Sequence, residues 1–252
     1  MKGGNIGDMK NILYAEFMKL KRSYITPAVL VSAVFIPIVI FINLKQPKEI
    51  LNQDFYMNTL LNIDMFQIAV FNNIMTALVI GYIFSREYTD KSTNVTYSYG
   101  YSRFKIDAGK FIVSVILIIV EQIINLAVIS LLFIFKGYTI PGDVLILQCK
   151  VVAISSIISI MMMPIPALIG IWSKNIIAPV IYGVIQSVVS ILIGSLGGIY
   201  VQIFPMSLPV VPIYYYFVKD PIDYVALIIS ISLIVIFSIS AFMMYIKKSD
   251  IN

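Results

Sequence analysis

Apolar residues run in long blocks along this chain, and polar residues gather between the blocks instead of alternating with them. That pattern is neither the two-residue period of a half-buried strand nor the one-sided period of a soluble helix. A helix needs about 20 apolar residues to cross a bilayer. Six blocks are long enough, at 27–44, 65–84, 111–135, 144–172 (or from 151), 177–200 and 224–246. They predict an all-α polytopic membrane protein, with six transmembrane helices in a single domain over residues 1–252.

Three segments depart from plain spans. In residues 1–25, Leu13, Phe17, Leu20 and Tyr24 recur at helical spacing, while Glu16, Lys19 and Ser23 fall elsewhere on the wheel. This predicts an amphipathic N-terminal helix in the membrane interface, its basic residues near anionic lipid. Residues 85–110 form the longest polar stretch in the body of the chain, where helix–helix connections are commonly about 2–8 residues. A short helix over 87–97 is expected, lying on the membrane surface, with Ser85 as its cap and Glu87 and Asp90 in its first turn. Residues 197–223 are apolar yet broken by Gly197, Gly198 and prolines 205, 209, 212 and 221. They read as short helices half-buried or re-entrant at the outer face, with Tyr214, Tyr215 and Tyr216 at headgroup level. Pro164 and Pro166 must kink or break the fourth span.

Composition agrees with the pattern. The 252 residues are 60% hydrophobic and 12% charged, against about 25% charged in a soluble domain. The 18 Lys and Arg are unevenly distributed: 13 lie on the side holding both termini and residues 85–110, and five on the other. The positive-inside rule therefore predicts cytoplasmic termini and a cytoplasmic 85–110 loop in a multi-pass cell-membrane protein. It also accounts for the net charge of +5 without a nucleic-acid partner. There is no histidine and only one cysteine, Cys149. Histidine acid–base chemistry, Cys/His nucleophiles, His-ligated zinc and an intramolecular disulfide are excluded. No P-loop G-x-x-x-x-G-K-[ST] occurs, so any ATP chemistry belongs to another polypeptide. Residues 1–22 lack the apolar core of a secretory signal, and Met9 is an alternative start.

Glu121 is acidic near the middle of the third span, with Gln122 beside it, Asn125 one turn on and Ser114 two turns back. Asn72 and Asn73 sit in the second span. These residues are a candidate translocation path. Equally, they are candidate interhelical hydrogen-bond clamps, with Glu121 facing protein.

The order of short motifs resembles the membrane permease subunits of type-2 ABC exporters, of the bacterial drug, bacitracin and lantibiotic export or immunity type. The N-terminal element is Ala15-Glu16-Phe17-Met18-Lys19-Leu20-Lys21-Arg22-Ser23. After the second span comes Glu87-Tyr88-Thr89-Asp90-Lys91-Ser92, with lysine at 91 where such permeases frequently have glycine. Ser102-Arg103 and Lys110 follow, and Pro205, Ser207, Leu208 and Pro209 fit the broken outer segment. The resemblance covers essentially the whole chain. It implies that 85–110 holds a coupling helix which docks on a separate ABC ATPase through Arg86, Glu87, Tyr88, Asp90, Lys91 and Arg103. It further implies a second permease copy or a homologous permease, ATP and magnesium held by the ATPase, no cofactor in this chain, and a peptide antibiotic, lantibiotic or amphipathic drug as cargo.

Three readings stay open at this point. The first is a non-enzymatic permease of an ATP-driven exporter. The second is a cation exporter of the same architecture using Glu121 and the amides. The third is a membrane scaffold or sensor without transport.

Overall fold

The computed structural model describes residues 6–21, 23–43, 53–92 and 101–249, and every regular element among them is helical. In chain order these are α1 (Ile6–Leu20), α2 (Ile25–Asn43), α3 (Gln53–Phe66), a π-helical stretch (Gln67–Asn72), α4 (Asn73–Thr89), α5 (Arg103–Phe135), α6 (Gly142–Met162), α7 (Pro164–Ser173), α8 (Ile177–Leu196) and α9 (Gly198–Ile203). A 3₁₀ turn (Pro205–Val210), one α-turn (Val211–Ile213) and a π-turn (Tyr214–Val218) then lead to α10 (Tyr224–Ser249). Among the described residues, five stretches are long and apolar enough to cross a membrane: Ile25–Asn43, Phe55–Thr89, Arg103–Phe135, Gly142–Ser173 and Ile177–Leu196. The sixth expected span is α10, a helix of 26 residues.

The burial pattern is that of a body immersed in lipid. On α5, Ile119, Val120 and Ile123 are exposed while Glu121, Gln122 and Asn125 are buried. In hydrocarbon the apolar face has no reason to hide, whereas polar side chains must find partners inside the bundle. α4 occupies the centre, packed on α5, α7 and α8. Its approach to α8 needs Gly183, where a Cβ would come within 2.7 Å of the Ala77 side chain and 3.0 Å of the Asn73 carbonyl.

The apolar interior divides between the two ends of the bundle. At one end Leu20, Ile25, Val29, Val79, Ile83, Phe84 and Val113 pack together. Lys19, Arg86, Lys110 and Lys174 gather around that cluster, and we call it the basic end. At the far end Phe41, Phe55, Tyr56, Phe133 and Tyr138 form an aromatic group beneath the broken segment.

Several expectations are corrected. The second span is not confined to 65–84. It runs from Gln53 to Thr89 and includes the π-helical stretch, because Asp64 and Gln67 are buried inside the protein and so do not interrupt it. The third helix starts at Arg103, where the Ser102 hydroxyl accepts from the Lys105 amide at 3.4 Å as an N-cap. The fourth span does break, as its prolines require: α6 ends at Met162 and Pro164 opens α7 at a first-turn position where its missing N–H costs nothing. α8 ends at Leu196, short of 200, because Gly197 turns with φ +63°. The broken segment packs in the far-end core through Ser207, Leu208, Val210, Val211 and Ile213, more deeply than a headgroup-level position implies. Of the three tyrosines only Tyr215 is exposed, and the Tyr214 hydroxyl donates to the Gly194 carbonyl.

No separate helix begins at Glu87. α4 continues through Thr89 and ends there, so Ser85 lies inside a helix, buried, and its carbonyl accepts from the Thr89 hydroxyl at 3.2 Å. Residues 93–97 of the expected helix lie outside the described residues. On α1, Ile12, Glu16 and Leu20 face the protein, while Tyr14, Phe17 and Met18 are exposed.

Candidate functional site

The basic end holds a buried charge cluster built from three helices. Glu87 on the last turns of α4 is 3% exposed. The Lys19 ammonium of α1 donates to its Oε1 at 2.8 Å, and the Lys110 ammonium of α5 to its Oε2 at 2.7 Å. Lys19 also donates to Glu16 at 2.6 Å, and Lys110 lies 3.9 Å from Asp107. An unpaired carboxylate at this depth would lose several kcal/mol of hydration. Two ammonium groups on one carboxylate, each with a second acidic neighbour, remove that penalty and tie α1, α4 and α5 at one point.

Local sequence explains the convergence. Glu16 and Lys19 on α1, and Asp107 and Lys110 on α5, are each three residues apart, so each acid and its lysine share a face. Gly109 lets α1 lie directly on α5: a Cβ there would come within 2.5 Å of Ile12 Cγ2. Burial would lower the Lys19 ammonium, but the Glu16 and Glu87 carboxylates outweigh it and hold that group above its ordinary 10.5.

Arg86 ties the exposed side of the cluster. Its Nη1 donates to the Lys19 carbonyl at 2.7 Å, meeting a free acceptor at the C-terminal end of α1, and its Nε donates to Asp90 Oδ2 at 3.1 Å. The guanidinium lies 5.5 Å from the Tyr82 ring centroid. Tyr88 is half-buried, with Lys174 Nζ 6.0 Å from its ring centroid.

α4 then ends in a Schellman turn. The Ser92 amide donates to the Glu87 carbonyl at 2.9 Å and the Lys91 amide to the Tyr88 carbonyl at 3.2 Å, with Lys91 at φ +53°. The lysine at 91 therefore takes the left-handed conformation that glycine adopts without strain. Lys174 and Lys219, each ending another helical segment, do the same at φ +51° and +64°. A cation at that position faces the negative end of the helix dipole.

Of the residues predicted to dock a partner, Arg86, Tyr88, Asp90 and Lys91 lie together at this turn, with Asp90 and Lys91 exposed. Arg103, half-buried, opens α5 on the far side of residues 93–100. Glu87 is not at the surface but behind the turn. Glu16, Lys19, Asp107 and Lys110 complete the cluster, although sequence reasoning gave them no site role. Their signal was the repeated acid–lysine spacing on two helices.

The candidate path residues separate into two sets. Gln122 Nε2 donates to Asn72 Oδ1 at 3.0 Å, and Asn72 Nδ2 donates to Ser159 Oγ at 2.8 Å. Asn73 meets Ser190 and Gln186, each at 3.2 Å. Glu121 and Asn125 instead face α2: Ser32 Oγ donates to Glu121 Oε1 at 2.8 Å, and Asn125 Nδ2 to the Ala33 carbonyl at 2.9 Å. All five are buried and bridge helices within one chain. Another buried carboxylate, Asp64 on α3, pairs with Gln148 of α6 at 2.9 Å. Sequence reasoning passed over it because it lies outside the apolar window of 65–84.

A lipid-suited helical bundle with a charged turn at one end defines a multi-pass membrane protein. The model of the ABC-2 family transporter proteins matches residues 12–192, and the chain belongs to that family. It is thus the transmembrane subunit of an ABC transporter, a transport subunit and not itself the catalyst, and it works with an ATPase subunit in the membrane. No curated protein and no solved structure matches it.

Proposed function

We propose that this chain is the permease half of an ATP-driven exporter, with its basic end on the cytoplasmic side and a separate ATPase docked at the end of α4. The supporting observation is that Glu87 receives Lys19 of α1 and Lys110 of α5 directly behind the exposed Asp90–Lys91 turn. A partner that moves the turn moves three helices at once, which is what transmission from an ATPase to a membrane bundle requires. ATP binding then shifts the permease between states by binding one of them better. Arg86, Tyr88, Asp90, Lys91 and Arg103 form the docking contacts, and Glu87 relays from behind them. Two such chains, or one with a homologous permease, enclose the path. The motif resemblance supports a peptide antibiotic, lantibiotic or amphipathic drug as cargo.

The test is reconstitution with the ATPase in lipid. Asp90→Lys and Lys91→Glu are expected to reduce ATPase co-purification. Glu87→Gln is expected to leave co-purification intact while lowering ATPase activity and cargo efflux several-fold. Unchanged turnover and efflux in all three variants would refute the docking assignment.

A further inference from the structure

The Asp64–Gln148 pair is incompletely bonded as an ionised pair. Asp64 is fully buried and Gln148 is 2% exposed. Gln148 Nε2 donates to Asp64 Oδ1 at 2.9 Å, while Asp64 Oδ2 and Gln148 Oε1 are both buried without a partner. Both orphan atoms are acceptors, so neither can satisfy the other. A single proton on Asp64 supplies the missing donor, and a protonated carboxyl beside a primary amide has the complement needed for a two-bond carboxylic acid–amide ring.

Among the described residues, no counter-ion is seen beside that carboxyl. α3 packs against α2, the π-helical stretch, α6 and the segment 211–218. α2, the π-helical stretch and Val211–Ile213 carry no ionisable side chain. On α6 the ionisable groups are Asp143, Cys149 and Lys150, all exposed. The π-turn offers Tyr214, Tyr215 and Tyr216, and α3 itself carries Asp54 and Tyr56. Tyr138, whose hydroxyl is buried without a partner, packs against Phe55 of α3. Gln67, one turn beyond Asp64, is likewise buried with neither amide atom partnered.

We propose that Asp64 is a proton-binding site, occupied while α3 and α6 are packed together. The ring's two halves belong to different helices, so parting α3 from α6 breaks both hydrogen bonds and frees the acid to give its proton to water. Proton binding is thereby linked to the closed arrangement of these two helices. This rests on the geometry of the pair and not on the exporter reading.

Infrared spectroscopy of the full chain in lipid nanodiscs at neutral pH tests it. Incorporating aspartate with a ¹³C side-chain carboxyl separates an aspartic acid band from any glutamic acid band without any substitution. The expected result is a protonated-carboxyl C=O band that shifts with the label, disappears in Asp64→Asn and moves to higher frequency in Gln148→Leu, where its hydrogen bonds are lost. Asp64→Asn retains the fold because an amide–amide ring replaces the acid–amide ring. Absence of a label-sensitive protonated band in the unsubstituted protein would overturn the proposal, as would its persistence in Asp64→Asn.

Discussion

The Lys110 ammonium stands 2.7 Å from Glu87 Oε2, with the two side chains only 2% and 4% exposed. Glu87→Leu takes from Lys110 its nearest carboxylate at this depth and is expected to cost the detergent-solubilised chain about 3–5 kcal/mol. Lys110→Met leaves Glu87 the Lys19 ammonium at 2.8 Å and is expected to cost less. The double variant should recover most of the loss, because Lys19 is one-third exposed and can return to water. Chemical-denaturant unfolding reads all three. Additive losses in the double variant would show that the two charges do not depend on each other.

Lys91 adopts φ +53° as the left-handed residue of the turn that closes α4. A side chain there costs about 1 kcal/mol that glycine does not. Lys91→Gly is expected to raise stability by up to about 1 kcal/mol, less what the lysine contributes at the helix dipole. Lys91→Val should lower it, since a β-branched residue fits that conformation worst. Unfolding midpoints of the two variants, compared at low and high salt, separate the strain from the dipole contribution.

α1 reaches the Glu87 cluster only because residue 109 lacks a side chain. Gly109→Leu is expected to push α1 off α5, expose it to protease and remove the Lys19 contact. Its effect on stability should therefore include the loss seen in Lys19→Met. Because a Cβ would meet Ile12 Cγ2 at 2.5 Å, Gly109→Ala combined with Ile12→Ala should restore protection, whereas Gly109→Leu alone should not. Limited proteolysis within residues 6–20 provides the measurement.

The spans were legible because hydrocarbon requires long apolar helices, and α2, α5, α6 and α8 meet that requirement in continuous blocks. α3 was not legible. Asn58, Asn62, Asp64 and Gln67 lower the hydropathy of its stretch, and nothing in the sequence shows that Asp64 and Gln67 turn inward. The charge cluster was half legible. The acid–lysine spacing on α1 and α5 is visible in the sequence, but Lys19 and Lys110 meet Glu87 across 68 and 23 residues of chain. Only the packing of α1 on α5 brings them together. The same packing moved Glu87 from an expected surface helix to the interior.

Lys19 sets a pH dependence. Its folded-state value is raised above 10.5 by Glu16 and Glu87, against the opposing effect of burial. A cation with a raised value contributes its full stabilisation below the unfolded value and loses it as pH climbs through the folded one. The stability difference between the parent chain and Lys19→Met should therefore be constant through neutral pH and narrow only above about pH 10.5. A difference that narrows already between pH 7 and 9 would contradict the pairing.

The amide belt tests whether its residues hold helices or line a passage. Gln122→Leu removes one donor to Asn72 Oδ1, which keeps a longer contact from Thr76 at 3.5 Å. Asn72→Leu severs that bond and the one to Ser159 together, leaving Gln122 unpartnered inside the bundle. Interhelical bonds of this kind within membranes contribute about 0.6 kcal/mol on average and up to about 1.7. Gln122→Leu is expected to cost under 1 kcal/mol and Asn72→Leu about 1–2, with the loss at Asn72 greater because two helices, α5 and α6, are released from the π-helical stretch. If the amides served mainly to wet a passage, the order would vanish: both variants would unfold like the parent while cargo efflux changed. Denaturant unfolding and efflux measured on the same preparations decide between these outcomes.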